Sequence, residues 1–439
     1  MLKWMSVKTT HYCAEFFTSI DLVYPRTYSE HMVHTLIQKL AILSDAAKYD
    51  ASCASSGTSK RNALGGGLGS TEGNGICHSY APDGRCISLL KILMTNFCTY
   101  DCAFCINRVS SNVARARFSV DEVVKLTLEF YRRNYIEGLF LSSGIIQSPD
   151  YTMEQMTRIV KTLRVDHQFH GYIHLKTIPN ASQELLNEAG LFADRISVNI
   201  EMPTDVALSS IAPEKDVIEI KRAMSAIGDK ILSAREPTLV KKRTKKFVPA
   251  GQSTQLIIGA ESSSDAIILK RSASLYAGYK LKRVYYSAFS PIPDSSLKLP
   301  LVKPPMMREH RLYQADWLMR FYGFNVDEIA ATGAGMLDLE IDPKLSWALG
   351  HRGDFPIDIN KAVYETLLRV PGFGVKTVRK IISSRRQCKL RYIDLVKLGA
   401  NMKTAKSFIT TVDWHPRTEI DSAILRQRFI PPMSQLELL

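Results

Sequence analysis

Short apolar runs alternate with amphipathic stretches along the middle of the chain. The runs CISLLKILMTN, GLFLSSG and GYIHLK are typical of strands that are covered on both faces. The stretches SVDEVVKLTLEFYRRN, TMEQMTRIVKTLRV and SQELLNEAG carry apolar residues at helical spacing. DRISVNIEM, STQLIIGA and KRVYYSAFSP follow as three further strands. This alternation, over about two hundred residues, predicts βαβ units around a parallel sheet, either open or closed as a barrel.

Local signals mark where some of these elements begin. Ser119 precedes the first helix of the series and Glu122 stands three residues later, the pattern of a capping box. Upstream, VHTLIQKLAILSDAAKYD follows Met32 at helical spacing, so Met32 is a second candidate for the start of translation. SCASSGTSKRNALGGGLGSTEGNG is rich in Gly and Ser and predicts a loop.

Length and charge favour several domains and a polyanionic partner. The 439 residues suggest two or three domains. The formal net charge is +14, and residues 361–439 hold fifteen Lys or Arg against six Asp or Glu, a surplus of nine. A basic C-terminal module is therefore expected. No apolar run reaches the length of a membrane span and the N-terminus has no signal-peptide pattern, so we expect a cytoplasmic protein with no membrane partner.

Three of the eight cysteines are packed into NFCTYDCAFC, directly after the first strand of the series. Cys98, Cys102 and Cys105 follow the spacing C-x3-C-x2-C, and core residues, zinc ligands and cluster ligands are the alternatives. Zinc sites generally pair C-x2-C with a second pair, and none follows nearby. Thiolates also ligate the irons of iron-sulfur clusters. Three ligands on a four-iron cube would leave one iron open to a substrate or cofactor.

This motif on a βα barrel resembles the signature of the radical S-adenosylmethionine enzymes. AAKYDASCASSG, CHSYAPDGRCISLLKILMTN, RRNYIEGLFLSSG, EHRLYQADWLMRFYGF and LLRVPGFG resemble, more closely, a group of these proteins named for DNA modification or repair. The resemblance runs from about residue 36 to 410. It implies an α/β fold, a partial TIM-type (β/α)6 radical SAM barrel with a C-terminal all-helical helix-hairpin-helix module. The expected segments are 1–85 (helical and Gly/Ser-rich, with extra cysteines), 86–300 (barrel), 301–355 (helical connector), 356–412 (helix-hairpin-helix module) and 413–439 (tail).

The resemblance also implies cofactors. The three cysteines would hold a 4Fe-4S cluster whose open iron binds S-adenosyl-L-methionine, and reductive cleavage would give a 5'-deoxyadenosyl radical that abstracts hydrogen from the substrate. An electron donor such as flavodoxin or ferredoxin is implied as a partner. The implied cofactor-binding residues are Phe104, Ser142, Ser143, Gly144, Ser197, Asn199, Glu201, Ile258 and Gly259.

Each of these residues matches a place in the family pattern. Phe104 stands at the position beside the adenine, and Ser142-Ser143-Gly144 stands where most members carry a Gly-Gly-Glu-like stretch that holds the methionine amino group. The missing Glu is a departure, although hydroxyls and carbonyls can do the same work. Ile258 and Gly259 resemble the segment near the adenine.

Alternation on two strands adds further candidates. Ser197, Asn199 and Glu201 alternate with apolar residues and share one face, which is either a ribose-binding interior or an exposed strand end. On the preceding strand, His174 and Lys176 share a face with Tyr172, and either is a candidate for the cofactor carboxylate, with a structural role as the alternative.

Three upstream cysteines are candidates for a second iron-sulfur cluster or metal. Cys53, Cys77 and Cys86 have spacings that match no simple zinc pattern. The alternative is that they are loop cysteines near the mouth of the barrel.

The C-terminal stretch ETLLRVPGFGVKTVRKIISSRR predicts helix, tight turn and helix, and it resembles the helix-hairpin-helix motif of DNA repair proteins. Gly372 and Gly374 would let the backbone approach a phosphate, with Lys376, Arg379 and Lys380 adding charge. LVKLGANMKTAKSFI is a weaker second copy, and the alternative is a protein-interaction hairpin. KKRTKK, residues 241–246, predicts a solvated loop or a substrate-steering patch.

Two functions therefore compete. The first is a radical enzyme acting on nucleic acid, DNA rather than RNA. The second is a nucleic-acid-binding protein whose cluster is structural or redox-sensing, with no turnover. The open iron and the polar strand face favour the enzyme. The reaction outcome and the oligomeric state are not determined by the sequence.

Overall fold

A computed structural model describes residues 30–48, 76–80, 86–234, 246–293, 295–330, 333–417, 420 and 422–430. Cys53, the Gly/Ser-rich loop as far as residue 75, and residues 241–245 of the basic run lie outside the described residues. The described strands are β1 (Ile76–Tyr80), β2 (Cys86–Leu93), β3 (Gly138–Ser142), β4 (Tyr172–Lys176), β5 (Arg195–Ser197), β6 (Gln252–Ile258), β7 (Arg283–Ala288), β8 (Ile357–Asp358) and β9 (Ile409–Thr410). The described α-helices are α1 (Glu30–Lys48), α2 (Val120–Arg132), α3 (Pro149–Val165), α4 (Gln183–Phe192), α5 (Asp205–Ile211), α6 (Val217–Ser233), α7 (Asp265–Tyr279), α8 (Met306–Phe321), α9 (Val326–Ile329), α10 (Pro343–Gly350), α11 (Tyr364–Arg369), α12 (Val375–Ser384), α13 (Tyr392–Lys397) and α14 (Met402–Ala405). Short 3-10 turns cover Gly333–Gly335, Arg352–Asp354, Lys406–Phe408 and Arg426–Phe429.

Strands β2 to β7 form a parallel sheet in chain order, which confirms the predicted α/β fold. The sheet curls into a half-barrel. The middle strands are buried on both faces, as their continuous apolar sequences predict, and β3 is buried along its whole length. Helices follow the strands on the outside. In α3, for example, Met153, Met156 and Ile159 are fully buried.

The predicted capping box at the start of α2 is confirmed. The Ser119 hydroxyl accepts a hydrogen bond from the Glu122 amide at 3.1 Å, and the Glu122 carboxylate accepts one from the Ser119 amide at 2.7 Å. Lys39 of α1 forms an ion pair with the same carboxylate at 2.8 Å. One side chain therefore fixes the start of α2 and holds α1 near it.

Two parts of the fold differ from the prediction. Strand β1 pairs antiparallel with β2 and makes a seventh strand, which the apolar pattern did not indicate. Strand β5 is regular only from Arg195 to Ser197, because Glu201 has a left-handed backbone with φ of 61°. Beyond Ser197 the chain rejoins the sheet through a single bridge between Glu201 and Leu256.

The described chain divides into two compact units. The first comprises Met1–Glu261 and Leu275–Lys303 and contains the seven-stranded sheet, and the second comprises Ser262–Ser274 and Pro304–Leu439. The predicted C-terminal module, residues 356–412, is not all-helical, because β8 and β9 at its two ends pair as a two-stranded parallel sheet. Among the described residues, no helix combines the length and hydropathy that a membrane-spanning segment needs.

Candidate functional site

The cysteine loop follows β2, at the edge of the sheet where all six parallel strands end. Ser142, Lys176 and Ser197 are the last residues of the next three strands, so they lie at the same edge. In βα barrels this carboxyl edge carries the active site. The loop and the predicted cofactor residues are therefore brought to one end of the half-barrel.

Two polar side chains hold the backbone of the cysteine loop in shape. The Arg115 guanidinium donates hydrogen bonds to four backbone carbonyls of the loop, those of Asn96, Asn107 (2.8 Å), Arg108 (2.6 Å) and Ser111 (2.9 Å). The Asn96 side chain accepts from the Ala116 amide at 2.7 Å and donates to the Ala114 carbonyl at 2.7 Å. The loop conformation thus does not depend on a bound cluster alone.

Neighbouring segments also hold the backbone of the same loop between its cysteines. The Thr99 amide donates to the Ile145 carbonyl at 2.8 Å, and the Ala103 amide donates to the Ile211 carbonyl at 2.8 Å. The Ile145 amide in turn points at the Cys98 sulfur at 3.4 Å. The segment after β3 therefore holds the first cysteine of the loop in position.

The three thiols share one electrostatic environment. Burial raises the pKa of Cys102 to about 12, with the Lys215 cation acting against it and the other two thiols adding to it. Burial also raises the pKa of Cys105, and the cations of Lys215 and Lys176 lower it. Burial outweighs these cations at both thiols, so the neutral form is favoured in the metal-free protein and the cations offset only part of that cost.

The segment Ser142-Ser143-Gly144 lies directly against the cysteine loop. The Gly144 amide donates to the Thr95 carbonyl at 2.8 Å, and a Cβ at Gly144 would stand 2.2 Å from the Phe97 carbonyl oxygen. The glycine is therefore required by this close approach. The Ser142 hydroxyl is buried and has no hydrogen-bond partner among the residues that the structure describes.

The predicted polar face is a buried network rather than an exposed strand end. Ser197 contacts the His174 ring at 2.5 Å and the Ser253 hydroxyl at 2.8 Å. Asn199 donates to Gln255 at 3.2 Å and to the Glu201 carboxylate at 3.4 Å. Hydrogen bonds thus connect the end of β5 with the middle of β4 and the interior of β6, while a contact of these residues with a ribose stays a prediction.

Lys215 is the residue of this site that sequence reasoning missed. It lies between α5 and α6, and its Nζ forms an ion pair with Glu201 at 2.6 Å. The same Nζ lies 5.7 Å from the centre of the Phe104 ring. Burial opposes its charge, but the Glu201 carboxylate more than offsets this and raises the pKa of Lys215. A charged lysine is therefore held between the predicted ribose face and the cysteines.

The two candidates at the end of β6, Ile258 and Gly259, are placed less favourably. Ser253 and Gln255 face the polar network, so alternation puts Ile257 on that side and Ile258 on the opposite face. Gly259 follows with a positive φ of 79°, where the chain leaves the strand. This alternation does not support a cofactor contact by the Ile258 side chain, and that contact stays a prediction.

The residues present fit a cluster with its cofactor. Three thiols, nearby lysine cations and a buried unpartnered hydroxyl at Ser142 are the groups that such a cofactor requires. Within the part of the chain that the structure describes, no three His, Cys, Asp or Glu side chains are grouped as ligands of a single metal ion. A cube differs from a single ion because each thiolate binds its own iron.

The upstream cysteines are not brought to one point. Cys77 pairs with Leu89 in the β1–β2 ladder and is buried, whereas Cys86 pairs with Tyr80 and is exposed. Three residue steps along the strand, about 10 Å, separate them. Since Cys53 lies outside the described residues, the second cluster stays a prediction.

In the second unit, α11 and α12 flank the predicted turn, and α13 and α14 flank a second one. Lys376, Arg379 and Lys380 are exposed on α12. Gly372 has a positive φ of 84°, and a Cβ there would lie 2.6 Å from the Asn401 carbonyl oxygen. Packing between the two hairpins therefore explains this glycine without a phosphate.

The start of α12 is also engaged within the protein. The Tyr322 hydroxyl lies 3.6 Å from the position that a Cβ would take at Gly374, so a side chain of the same unit already lies against the backbone before α12. The assignment of the turn to a helix-hairpin-helix motif stays a prediction.

Residues 92–246 match the family model of the Radical SAM superfamily. The match spans the three cysteines, β3 to β5 and Lys215, so the chain contains a radical SAM domain. The predicted radical SAM domain is thus confirmed for residues 92–246. No curated protein is similar to this chain in sequence.

Three solved structures are distantly similar to it. The FeFe-hydrogenase maturase HydG from Carboxydothermus hydrogenoformans has 12% identity and a TM-score of 0.39, over 52% of this chain and 50% of that one. Methylornithine synthase PylB has 13% identity and a TM-score of 0.39, over 52% and 60%. The cobalamin-dependent S-adenosylmethionine radical enzyme OxsB has 11% identity and a TM-score of 0.30, over 73% and 52%. The chain thus covers about half the length of these proteins.

Proposed function

We propose that the protein is a radical S-adenosylmethionine enzyme that modifies or repairs nucleic acid. One observation carries the proposal: the cysteine loop, held by Arg115, lies at the same edge of the half-barrel as a buried polar network. The strand-end position suits cofactor chemistry, and the basic C-terminal residues suit a polyanionic substrate.

Particular residues would hold the cofactors. Cys98, Cys102 and Cys105 are the ligands of the 4Fe-4S cluster, and the unpartnered Ser142 hydroxyl is placed to accept from the methionine amino group. Lys215 supplies the cation for the carboxylate. Asn199 and Glu201 would form hydrogen bonds with the ribose hydroxyls, as the family resemblance implies.

When bound, S-adenosyl-L-methionine together with a reduced cluster would supply the one-electron chemistry needed to remove hydrogen from an unactivated C–H bond. The protein's own residues orient the reactants and exclude water. Ser197, Asn199 and Glu201 are all buried, so this interior is dry and its hydrogen bonds are fixed before binding. Preorganised polar groups of this kind do not have to be reoriented during the reaction.

The nucleic-acid substrate is proposed from charge. The exposed cations of α12 and the surplus of nine positive charges in residues 361–439 attract a phosphate backbone without reading its sequence. DNA is favoured over RNA by the resemblance of this segment to DNA repair proteins.

The test is anaerobic reconstitution with iron, sulfide, dithionite and S-adenosylmethionine, followed by measurement of 5'-deoxyadenosine with and without polynucleotide. Cys102→Ala should lose both the iron-sulfur absorbance and cleavage, because a cube needs all its fixed ligands. The matched control is Cys388→Ala, an exposed cysteine of the second unit, which should keep both. Asn199→Ala should weaken cofactor binding and leave the iron content unchanged.

The nucleic-acid part of the test uses variants in which a positive side chain is replaced by a negative one. Lys376→Glu should weaken DNA binding and reduce its salt dependence, whereas Arg158→Glu, an exposed cation of the first unit, should not. If the wild type forms no 5'-deoxyadenosine with a full cluster, the enzymatic proposal is wrong. If it cleaves the cofactor but binds no DNA or RNA, only the substrate proposal is wrong.

A further inference from the structure

Helix α8 of the second unit exposes an aromatic surface. Trp317 and Phe321 stand one helical turn apart, and their rings are 51% and 44% exposed with centroids 4.5 Å apart. Leu312, Ala315 and Leu318, on the other side of the helix, are buried and account for its packing. The two exposed rings therefore do not serve the core of the unit.

Tyr322 places this aromatic surface beside the turn before α12. It directly follows Phe321 in the chain, and its hydroxyl lies 3.6 Å from the position that a Cβ would take at Gly374, the residue before α12. The rings and the turn before α12 are thus parts of one surface.

The charges around the rings are positive. The Arg320 guanidinium lies 4.9 Å from the centre of the Phe321 ring, and Lys376 and Lys380 are exposed on α12. Two acidic side chains of this part of the unit are engaged: Asp316 is buried and accepts from Arg320 at 3.3 Å, and Glu328 accepts from Arg369 at 2.8 Å. The surface therefore presents two ring faces and a cationic border.

We infer that this surface binds single-stranded nucleic acid, with bases stacked on Trp317 and Phe321 and the backbone on the α12 cations. Exposed ring faces beside cations are the two components of single-strand binding sites, since every base offers a π-face and every nucleotide a phosphate. The bases of a duplex are already stacked on each other, so a duplex could use the cations and leave the rings exposed to water. The inference rests on the proposed nucleic-acid function and narrows its substrate.

The test compares one labelled oligonucleotide as a single strand and as a blunt duplex, by fluorescence anisotropy with the full chain at fixed salt. The wild type should bind the single strand more tightly. Phe321→Leu keeps an apolar side chain but removes the ring face, and it should weaken single-strand binding at least about fivefold with little effect on the duplex. Phe321→Trp should retain the affinity, and the control Ile393→Ala, an exposed apolar residue of the same unit, should leave it unchanged.

Three outcomes would overturn the inference. Equal affinity of the wild type for strand and duplex, with no effect of Phe321→Leu, would leave the nucleic-acid proposal standing and refute stacking. A changed oligomeric state of Phe321→Leu in gel filtration, with unchanged affinity, would show that the rings bind a second copy of the chain. Binding of neither form by the wild type would refute the nucleic-acid proposal itself.

Discussion

Arg115 offers the sharpest test of whether the cysteine loop is shaped by the protein itself. Its guanidinium donates to four backbone carbonyls between residues 96 and 111, on both sides of Cys98, Cys102 and Cys105. Arg115→Met keeps much of the side-chain length and removes all four donors. The three cysteines themselves are untouched by this change.

The expected loss can be worked out from these bonds. A hydrogen bond in a protein contributes about 1 kcal/mol net, so four bonds correspond to about 4 kcal/mol. The matched control is Arg117→Met, because Arg117 makes one hydrogen bond, to the Tyr151 hydroxyl at 2.9 Å, and lies over the same ring at 5.6 Å. That variant should lose about 1 to 2 kcal/mol. Arg115→Lys should resemble Arg115→Met, since an ammonium with three donors cannot span four carbonyls.

The assay has two measurements, the thermal unfolding midpoint of the metal-free protein and the iron bound after anaerobic reconstitution. Arg115→Met should have a lower midpoint than Arg117→Met and should bind less iron, because its ligands are no longer held in position. If the two variants have the same midpoint and the same iron content, the cluster shapes its own loop and the reasoning from Arg115 is wrong.

Two further predictions follow from close packing and from burial. Gly144→Ala would place a Cβ 2.2 Å from the Phe97 carbonyl oxygen and should lower the iron content, whereas Gly278→Ala, where a Cβ meets nothing within 4 Å, should not. Burial lowers the pKa of Lys344 to about 7 from an ordinary value of 10.5. Between these two pH values the unfolded chain holds one more proton than the folded protein, so the unfolding free energy should rise with pH, by about 2 kcal/mol from pH 7 to 9. Urea denaturation should show this rise in the wild type and not in Lys344→Met, and parallel pH profiles would contradict it.

The elements that repeat locally could be predicted from the sequence. Six parallel strands and their intervening helices follow from apolar runs and helical spacing, because each signal lies within one short segment. The capping box at Ser119 is local in the same way, spanning four residues. The cysteine spacing is likewise contained in eight residues, and the superfamily match over residues 92–246 agrees with the class that it predicted.

The pairings between distant residues were decided only by the tertiary structure. Lys215 has no periodic or motif signal, yet folding places it on Glu201, whose left-handed backbone turns its carboxylate toward the site. In the sequence alone, Arg115 cannot be told from a surface cation, and only the folded loop shows its hydrogen bonds to backbone carbonyls. Trp317 lies in the predicted helical connector with no motif of its own, and only the contact of Tyr322 with Gly374 shows that this helix lies beside the basic turn. Periodicity is a property of neighbouring positions, whereas charge pairing and packing depend on which segments fold against each other, and no single segment carries that information.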